Sequence, residues 1–478
     1  MLVTPFRTHL FQDRRSLHQF LSGCKPTALD SEQIQIVSLS LEIPGVDPLA
    51  ALDRLQAPDQ LHFYWEKRGQ GAAIAATDPI LQLQVNGSQR FQQAQRFIST
   101  ALNEVMTAGA LHLPFAGPHF FCSFTFFDRV CWEPRLFPAA TVFLPRWQVA
   151  CDQGHGVLVA NVALESTTAL EPLTEEIWQQ WDVIRSLRCF SPRSLIRPPL
   201  HVSSPLHQQT TQFTRAVEAT LAAISAGQLQ KLVLAHTLEV QAAEPLDLCL
   251  GLDVLRDRYP DCSVFSVSNG CGQIFIGASP ERLLRIQDHE LMTDALAGSA
   301  PRGQTVVQDA LLGQQLLSSQ KDLYEQRVVL EFIQDCLRQL GIPPHMPPQP
   351  HLLQLPNIQH LRTLVTAQVP KHLHLLDILA ALHPTPAVAG TPHNQAQEQI
   401  RRHETFERYL YAAPLGWVDH QGNGEFTVGI RSALLNGCQT RLYAGAGIVA
   451  GSDPQRELAE IQLKLHTLLD ALVSVVHG

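Results

Sequence analysis

No apolar run in this chain approaches the roughly 20 residues that a membrane-spanning helix needs, so a membrane protein is not expected. Paired cysteine spacing is also missing. Ten cysteines, among them Cys24, Cys122, Cys131, Cys262 and Cys438, are scattered through the chain. That scatter argues against a zinc ribbon and a disulfide framework and suggests free thiols in a reducing cytoplasm. A cationic excess is absent as well: the net charge is −9, and a general nucleic-acid binder needs a cationic surface for phosphate. Internal repeats and low-complexity tracts are not evident. The start, Met1 to Leu10, has no long apolar core and is followed by Asp13 and two arginines, so no secretory signal is expected.

What is present suits a globular chain with a large core: 478 residues, 45% of them hydrophobic. That length accommodates two or three average domains or one large β-rich or mixed unit, and composition does not separate these. The first half carries strand-like runs at Leu61–Trp65, Gly71–Ala76, Phe120–Phe127 and Ala140–Leu144, with a helical piece from Gln92 to Ala108. A Pro- and Ser-rich connector from Ser191 to Pro205 divides residues 1–195 from a motif-bearing half, 205–478. Ile342 to Pro350 reads as a surface loop between a helix and the strand carrying His360.

Four charged residues stand out in the second half. Lys231 opens the run Lys231-Leu-Val-Leu-Ala235, whose alternation places it on one strand face with Val233 and Ala235. A buried lysine there is a candidate base. Glu281 follows Ile274–Gly277 and the turn Ala278-Ser279-Pro280, which holds one carboxyl at a strand end. Glu325 and Glu460 fall on two amphipathic helices. The first runs from about Ser318 to Leu340 with a stripe at Leu323, Leu330, Ile333 and Leu337. The second starts at the cap signal Ser452-Asp453-Pro454 and has its stripe at Leu458, Ile461, Leu465, Leu468 and Leu472. Glu457, Glu460 and Lys464 share a face flanking that second stripe. By itself a Glu460–Lys464 pair four residues apart is an ordinary solvated helix pair.

Seven stretches, read together, resemble the chorismate-binding enzymes, the group of isochorismate, salicylate, anthranilate and aminodeoxychorismate synthases. They are Lys231–Ala235, Gly277–Leu283 (GASPERL), Ala295–Ser299 (ALAGS), Lys321–Glu325 (KDLYE), His383–Gly390 (HPTPAVAG), Gly422–Phe426 and Tyr443–Val449 (YAGAGIV). The resemblance covers Pro205 to the C-terminus, and seven matches in order are far more specific than any one. Within the group, Lys231 and the HPTPAVAG run look most like isochorismate synthase. Members that use ammonia carry glutamine where Lys231 stands, and aminodeoxychorismate synthases have a reactive lysine where Ala297 stands.

The resemblance implies an α+β fold: a large layered β-sandwich of mainly antiparallel sheets flanked by helices, the aminodeoxychorismate synthase-like fold, with both halves contributing to it. It implies an Mg2+-dependent isomerisation of chorismate to isochorismate, supplying quinone, salicylate or siderophore synthesis, with salicylate synthase as the alternative. Lys231 is then the base that activates water, its pKa lowered from about 10.4 by burial or a nearby cation, and Glu281 the acid that protonates the leaving hydroxyl. Glu325 and Glu460 ligate Mg2+, with Glu457 assisting through water. Some relatives have a further acid one turn after the Glu325 position, where this chain has Val328. Gly298 and Gly445 offer bare backbone N–H groups to a carboxylate, or are simply tight turns. Arg431, in a strand from Phe426 to Ser432, takes the enolpyruvyl carboxylate, and Lys464 the other one. His360 lies near the ring hydroxyl, and Ala387 and Val388 form an apolar wall. Asp294 stands where relatives have glutamate. No glutaminase subunit, nucleic acid or membrane partner is implied, and a cytoplasmic monomer is expected.

Overall fold

The computed structural model describes residues 2–3, 13–26, 34–129, 136–187, 189–190, 200–202, 206–356 and 358–473. Cys131, most of the connector and all but Leu2 and Val3 of the first ten residues lie outside the described residues.

Short runs without apolar–polar alternation become strands buried on both faces, small serines included. His119–Phe124 and Ser263–Ser268 are buried at every position. Such strands need neighbours on both edges, and they find them in one winding antiparallel ladder. Its order is Ile358–Gln368, Glu290–Pro301, Arg282–Gln287, Gly424–Val428, Pro414–Asp419, His119–Phe124, Ala140–Asp152, Ala72–Val85, His62–Lys67, Ser263–Ser268, Gln273–Ser279, Ser432–Asn436, Gln439–Val449, Lys231–Ala242. Strands of the two sequence halves pair directly, Leu415 opposite Ser123 and Phe265 opposite Trp65. Parallel pairing enters where Val105–Gly109 lies beside Gln35–Glu42 and Leu2–Val3.

One apolar core holds residues from both ends of this ladder, Leu232 and Leu234 at one and Leu291 and Ala295 at the other. The sheet is therefore folded over on itself into layers, the sandwich expected. A smaller core packs the helices Arg14–Cys24 and Leu170–Ser186 on the outer face of the first-half strands.

Two helices cover the folded sheet and carry acids to its open end. Gln320–Gln339 packs on Glu290–Pro301, and its N-cap Ser319 accepts from the Asp322 amide. Pro454–Val473 packs on Gln439–Val449, and Asp453 accepts from the amides of Gln455 and Arg456. Its buried stripe is Leu458, Ile461, Leu465, Leu468 and Leu472, as expected.

The helix Gln320–Gln339 keeps close to its expected bounds, and it buries Gln326, Val328, Val329, Ile333 and Leu337, with Leu323 and Leu330 partly covered. Gln326, three residues after Leu323 and four before Leu330, lies within the expected stripe and has a buried partner in the Thr363 hydroxyl at 2.7 Å. Two local expectations are corrected. The helical piece in the first half is Arg90–Glu104; Val105–Gly109 instead joins the sheet. After the Pro-rich loop, the strand His351–Gln354 intervenes before Ile358–Gln368, which carries His360.

Candidate active site

The two ends of the ladder and the two helices close around one cavity, of about 890 Å³ when the open solvent at its mouth is counted. Every site residue singled out from the sequence lines it except Lys231: Glu281, Gly298, Glu325, His360, Ala387, Val388, Arg431, Gly445, Glu457, Glu460 and Lys464. Lys231 sits one layer behind, 0% exposed, with its Nζ 2.9 Å from Glu325 Oε1. The sequence pointed to apolar or cationic surroundings for it; the structure supplies a carboxylate.

Glu281 is 4% exposed, in the short link between strands Gln273–Ser279 and Arg282–Gln287. Burial pushes its pKa up to about 8; the Lys231 charge works against that rise and the Asp294 charge adds to it. A carboxyl in this state carries a proton at neutral pH and can donate it. The adjacent arginines do not neutralise it, since Arg282 and Arg285 both face Glu425 at 3.7 Å.

Arg431 lies outside any strand. It sits between Gly424–Val428 and Ser432–Asn436 with φ +50°, a left-handed conformation uncommon for arginine. This turn swings the side chain into the cavity, where Nη2 donates to His360 Nε2 at 2.9 Å. Among the described residues no carboxylate forms a salt bridge with Arg431. A largely desolvated guanidinium without a protein counterion is a ready anion site. His360 has both ring nitrogens engaged: Nδ1 lies 3.0 Å from Ser299 Oγ and 3.3 Å from Gly298 O. Burial, then Arg431 and Lys464, hold its pKa well below the ordinary value, so it is a neutral ring, and accepting at Nε2 assigns the proton to Nδ1. Its structural task is to orient Arg431.

Gly298 occupies a register shift between Ala297 and Ser299 with φ +75°. A Cβ there would lie 3.0 Å from Asp322 Cβ. At Gly445 the carbonyl accepts from Lys464 Nζ at 2.9 Å, and a Cβ would stand 2.7 Å from the Tyr411 hydroxyl.

The acidic wall is partly neutralised by lysines. Lys464 Nζ is 2.6 Å from Glu460, and Lys321 Nζ is 2.8 Å from Glu457, which is 3% exposed. Burial raises the pKa of Glu457 and of Asp322, and neighbouring Glu460 and Glu325 add to the rise. The further acid on the helix Gln320–Gln339 is thus Asp322, one turn before Glu325; Val328, one turn after, is buried. Among the described residues no three acidic, cysteine or imidazole side chains stand close enough to hold an ion as arranged. The donor set is all carboxylate oxygen, the chemistry a hard dication prefers, and Lys321 and Lys464 are the groups that must yield to one.

Sequence reasoning missed Tyr411, Ser299, Asp322, Lys321 and Gly447, all cavity-lining. Gly447 had a legible signal, the second glycine of YAGAGIV. A Cβ there would come 2.3 Å from Glu325 Oε1 and 3.1 Å from Lys231 Cε, so the missing side chain is the space in which those two groups meet.

A family model described as chorismate binding enzyme matches residues 19–473. The salicylate biosynthesis isochorismate synthase of Pseudomonas aeruginosa is 33% identical over 458 residues, covering 92% of this chain and 90% of the relative. The isochorismate synthase MenF of Bacillus subtilis is 28% identical over 488 residues, covering 99% of each. Among solved structures, the menaquinone-specific isochorismate synthase MenF of Escherichia coli superposes with a TM-score of 0.76 at 28% identity, covering 97% of this chain and 99% of that one.

Proposed function

This chain belongs to the chorismate-binding enzyme family, and from that premise we propose that it is an isochorismate synthase. The observation that carries the reading is the pairing of two buried groups of opposite proton demand at one cavity: the Lys231 amine behind one wall and a Glu281 carboxyl with a pKa of about 8. Relatives named for isochorismate synthesis, including those named for menaquinone and for salicylate, support it.

The reaction adds water at one ring carbon of chorismate and expels hydroxide from another while the double bonds shift between them. As the neutral amine, released from the Glu325 carboxylate that it now faces at 2.9 Å, Lys231 takes a proton from the incoming water through the gap at Gly447. Glu281 gives its proton to the departing hydroxyl, which leaves as water, so one water enters and one leaves. Arg431, oriented by neutral His360, binds one substrate carboxylate. Lys464 binds the other once it releases Glu460. Ala387 and Val388 wall the ring and exclude water from that side. Glu325 and Glu460, with Glu457, are the groups that would hold a magnesium ion, which when bound supplies positive charge to the substrate carboxylate. Lys231 makes water the nucleophile, so no glutaminase partner is required.

Incubation of the purified protein with chorismate and Mg2+, with products separated by mass, tests the reading. The expected product has the mass of chorismate, and conversion stops short of completion because the isomers are close in energy. Stoichiometric pyruvate and salicylate would identify a salicylate synthase instead. An aminated product in ammonium would overturn the role of Lys231.

A further inference from the structure

The strand that carries Lys231 has an unusual edge. On one side Lys231–Ala242 pairs along its length with Gln439–Val449. On the other, Lys231 and Leu232 pair with Thr391 and Gly390, and the Val233 amide donates to Ala389 O at 2.8 Å. Beyond Ala389 the chain leaves the edge, because Ala387 and Val388 turn away to wall the cavity. The next groups on that edge, the Val233 carbonyl and the Ala235 amide, are left without a strand neighbour in the middle of the core, where unpaired polar groups are costly.

An ion pair completes the edge. Arg408, 0% exposed, donates from Nη2 to Val233 O at 2.8 Å and from Nη1 to Val388 O at 2.8 Å. Its Nε donates to Glu404 Oε2 at 2.8 Å, and Nη2 reaches Glu404 Oε1. Glu404 Oε1 in turn accepts from the Ala235 amide at 2.8 Å. The guanidinium is packed over the Phe126 ring at 4.3 Å. One side chain thus bridges two carbonyls from segments that have just diverged, and its partner takes the next amide. Only a planar fork with donors in several directions does this; an ammonium on a flexible stem does not.

We propose that Arg408, together with Glu404, is a positioning residue that sets the Lys231 strand against the Ala387–Val388 wall. A buried ion pair is by itself weak evidence for stability and is best explained by the register it fixes. Here the register is that of Val233, on the same strand face as Lys231 and itself a cavity wall. Displacing either carbonyl moves the base relative to the ring the wall holds, and small misplacements of reacting groups lower rate far more than binding. The kinetic part of this inference rests on the function proposed above; the structural part does not.

The test uses Arg408→Lys and Glu404→Gln in the full chain. With chorismate and Mg2+, folded Arg408→Lys is expected to lose at least about 10-fold in kcat with KM within about 3-fold of the parent, because Arg431 and Lys464 are untouched. Millimolar guanidinium should restore part of the kcat of Arg408→Ala and leave the parent unchanged. Amide exchange of the 231–237 segment, which needs no turnover, should quicken at Ala235 in Arg408→Lys while amides bonded to Gln439–Val449 stay protected. Parent-like kcat and exchange in a folded Arg408→Lys overturn the proposal, as does a rise in KM at unchanged kcat. Failure of both Arg408→Lys and Glu404→Gln to fold also overturns it, reducing the pair to a stability element. If the parent itself leaves chorismate unchanged, the function is refuted, and the exchange result still decides the strut.

Discussion

Replacing Glu281 by Gln should abolish turnover and at the same time stabilise the protein at alkaline pH. The carboxyl has an ordinary value of 4.5 and is pushed by burial to about 8 in the fold. Between those values the unfolded chain is ionised there and the folded chain is not, so the folded state binds the extra proton. The stability this group contributes is full below about pH 4.5 and is lost as pH rises to about 8, at roughly 1.4 kcal/mol per unit. The accumulated loss by pH 8 is on the order of 4 kcal/mol. A chain of this length unfolds with an entropy of about 1 kcal/mol per kelvin, so Glu281→Gln should melt roughly 4 °C above the parent at pH 8 and level with it near pH 4.5. Among the described residues no protein donor is recorded on the Glu281 carboxyl, so the amide replaces it without breaking a bond. Differential scanning calorimetry of both proteins at the two pH values reads the effect. Equal differences at both would show that Glu281 is not held protonated. The kinetic counterpart is kcat/KM of the parent, which should fall tenfold per unit above about pH 8; a flat profile to pH 9.5 would refute the assignment of Glu281 as the acid.

Loss of a general base typically lowers rate by about 10²–10⁴, so Lys231→Ala should fold and bind substrate yet turn over at that reduced rate; activity within a few-fold of the parent would remove Lys231 from the mechanism. Glu325→Ala and Glu460→Ala should weaken Mg2+ binding by calorimetry in the absence of substrate, and EDTA should silence the parent until Mg2+ is restored. Full activity in excess chelator would dismiss the metal. Gly447→Ala should leave the fold intact while forcing Glu325 and Lys231 apart, since its Cβ would sit 2.3 Å from the Glu325 oxygen. A crystal structure of that variant with the 2.9 Å contact preserved, and unchanged kcat, would show that the missing side chain is immaterial.

What the sequence determined by itself is local and periodic. The stripe from Leu458 to Leu472 turns the C-terminal helix so that Glu457, Glu460 and Lys464 flank the core, and neighbours three or four residues apart require nothing from the rest of the chain. The strand of Lys231 and the link that holds Glu281 were equally legible from apolar runs ended by turn residues. The family motifs marked the cavity-lining residues because each motif folds as a short unit. Only the tertiary structure decided how those units face one another. Closure of the sheet brings Lys231 to Glu325, which is distant in sequence and on another element, and places Arg431 in the same cavity with no salt bridge among the described residues. On the helix Gln320–Gln339 the stripe pointed to Ile333 and Leu337, which are buried, but not to Gln326, whose buried partner Thr363 lies on a strand distant in sequence. Arg431 left the strand assigned to it for a similar reason: a left-handed turn is sustained by the packing around it. Burial by elements far apart in sequence and hydrogen-bond partners on distant strands leave no period to read, so the charge state of Glu281 and the orientation of His360 belong to the fold.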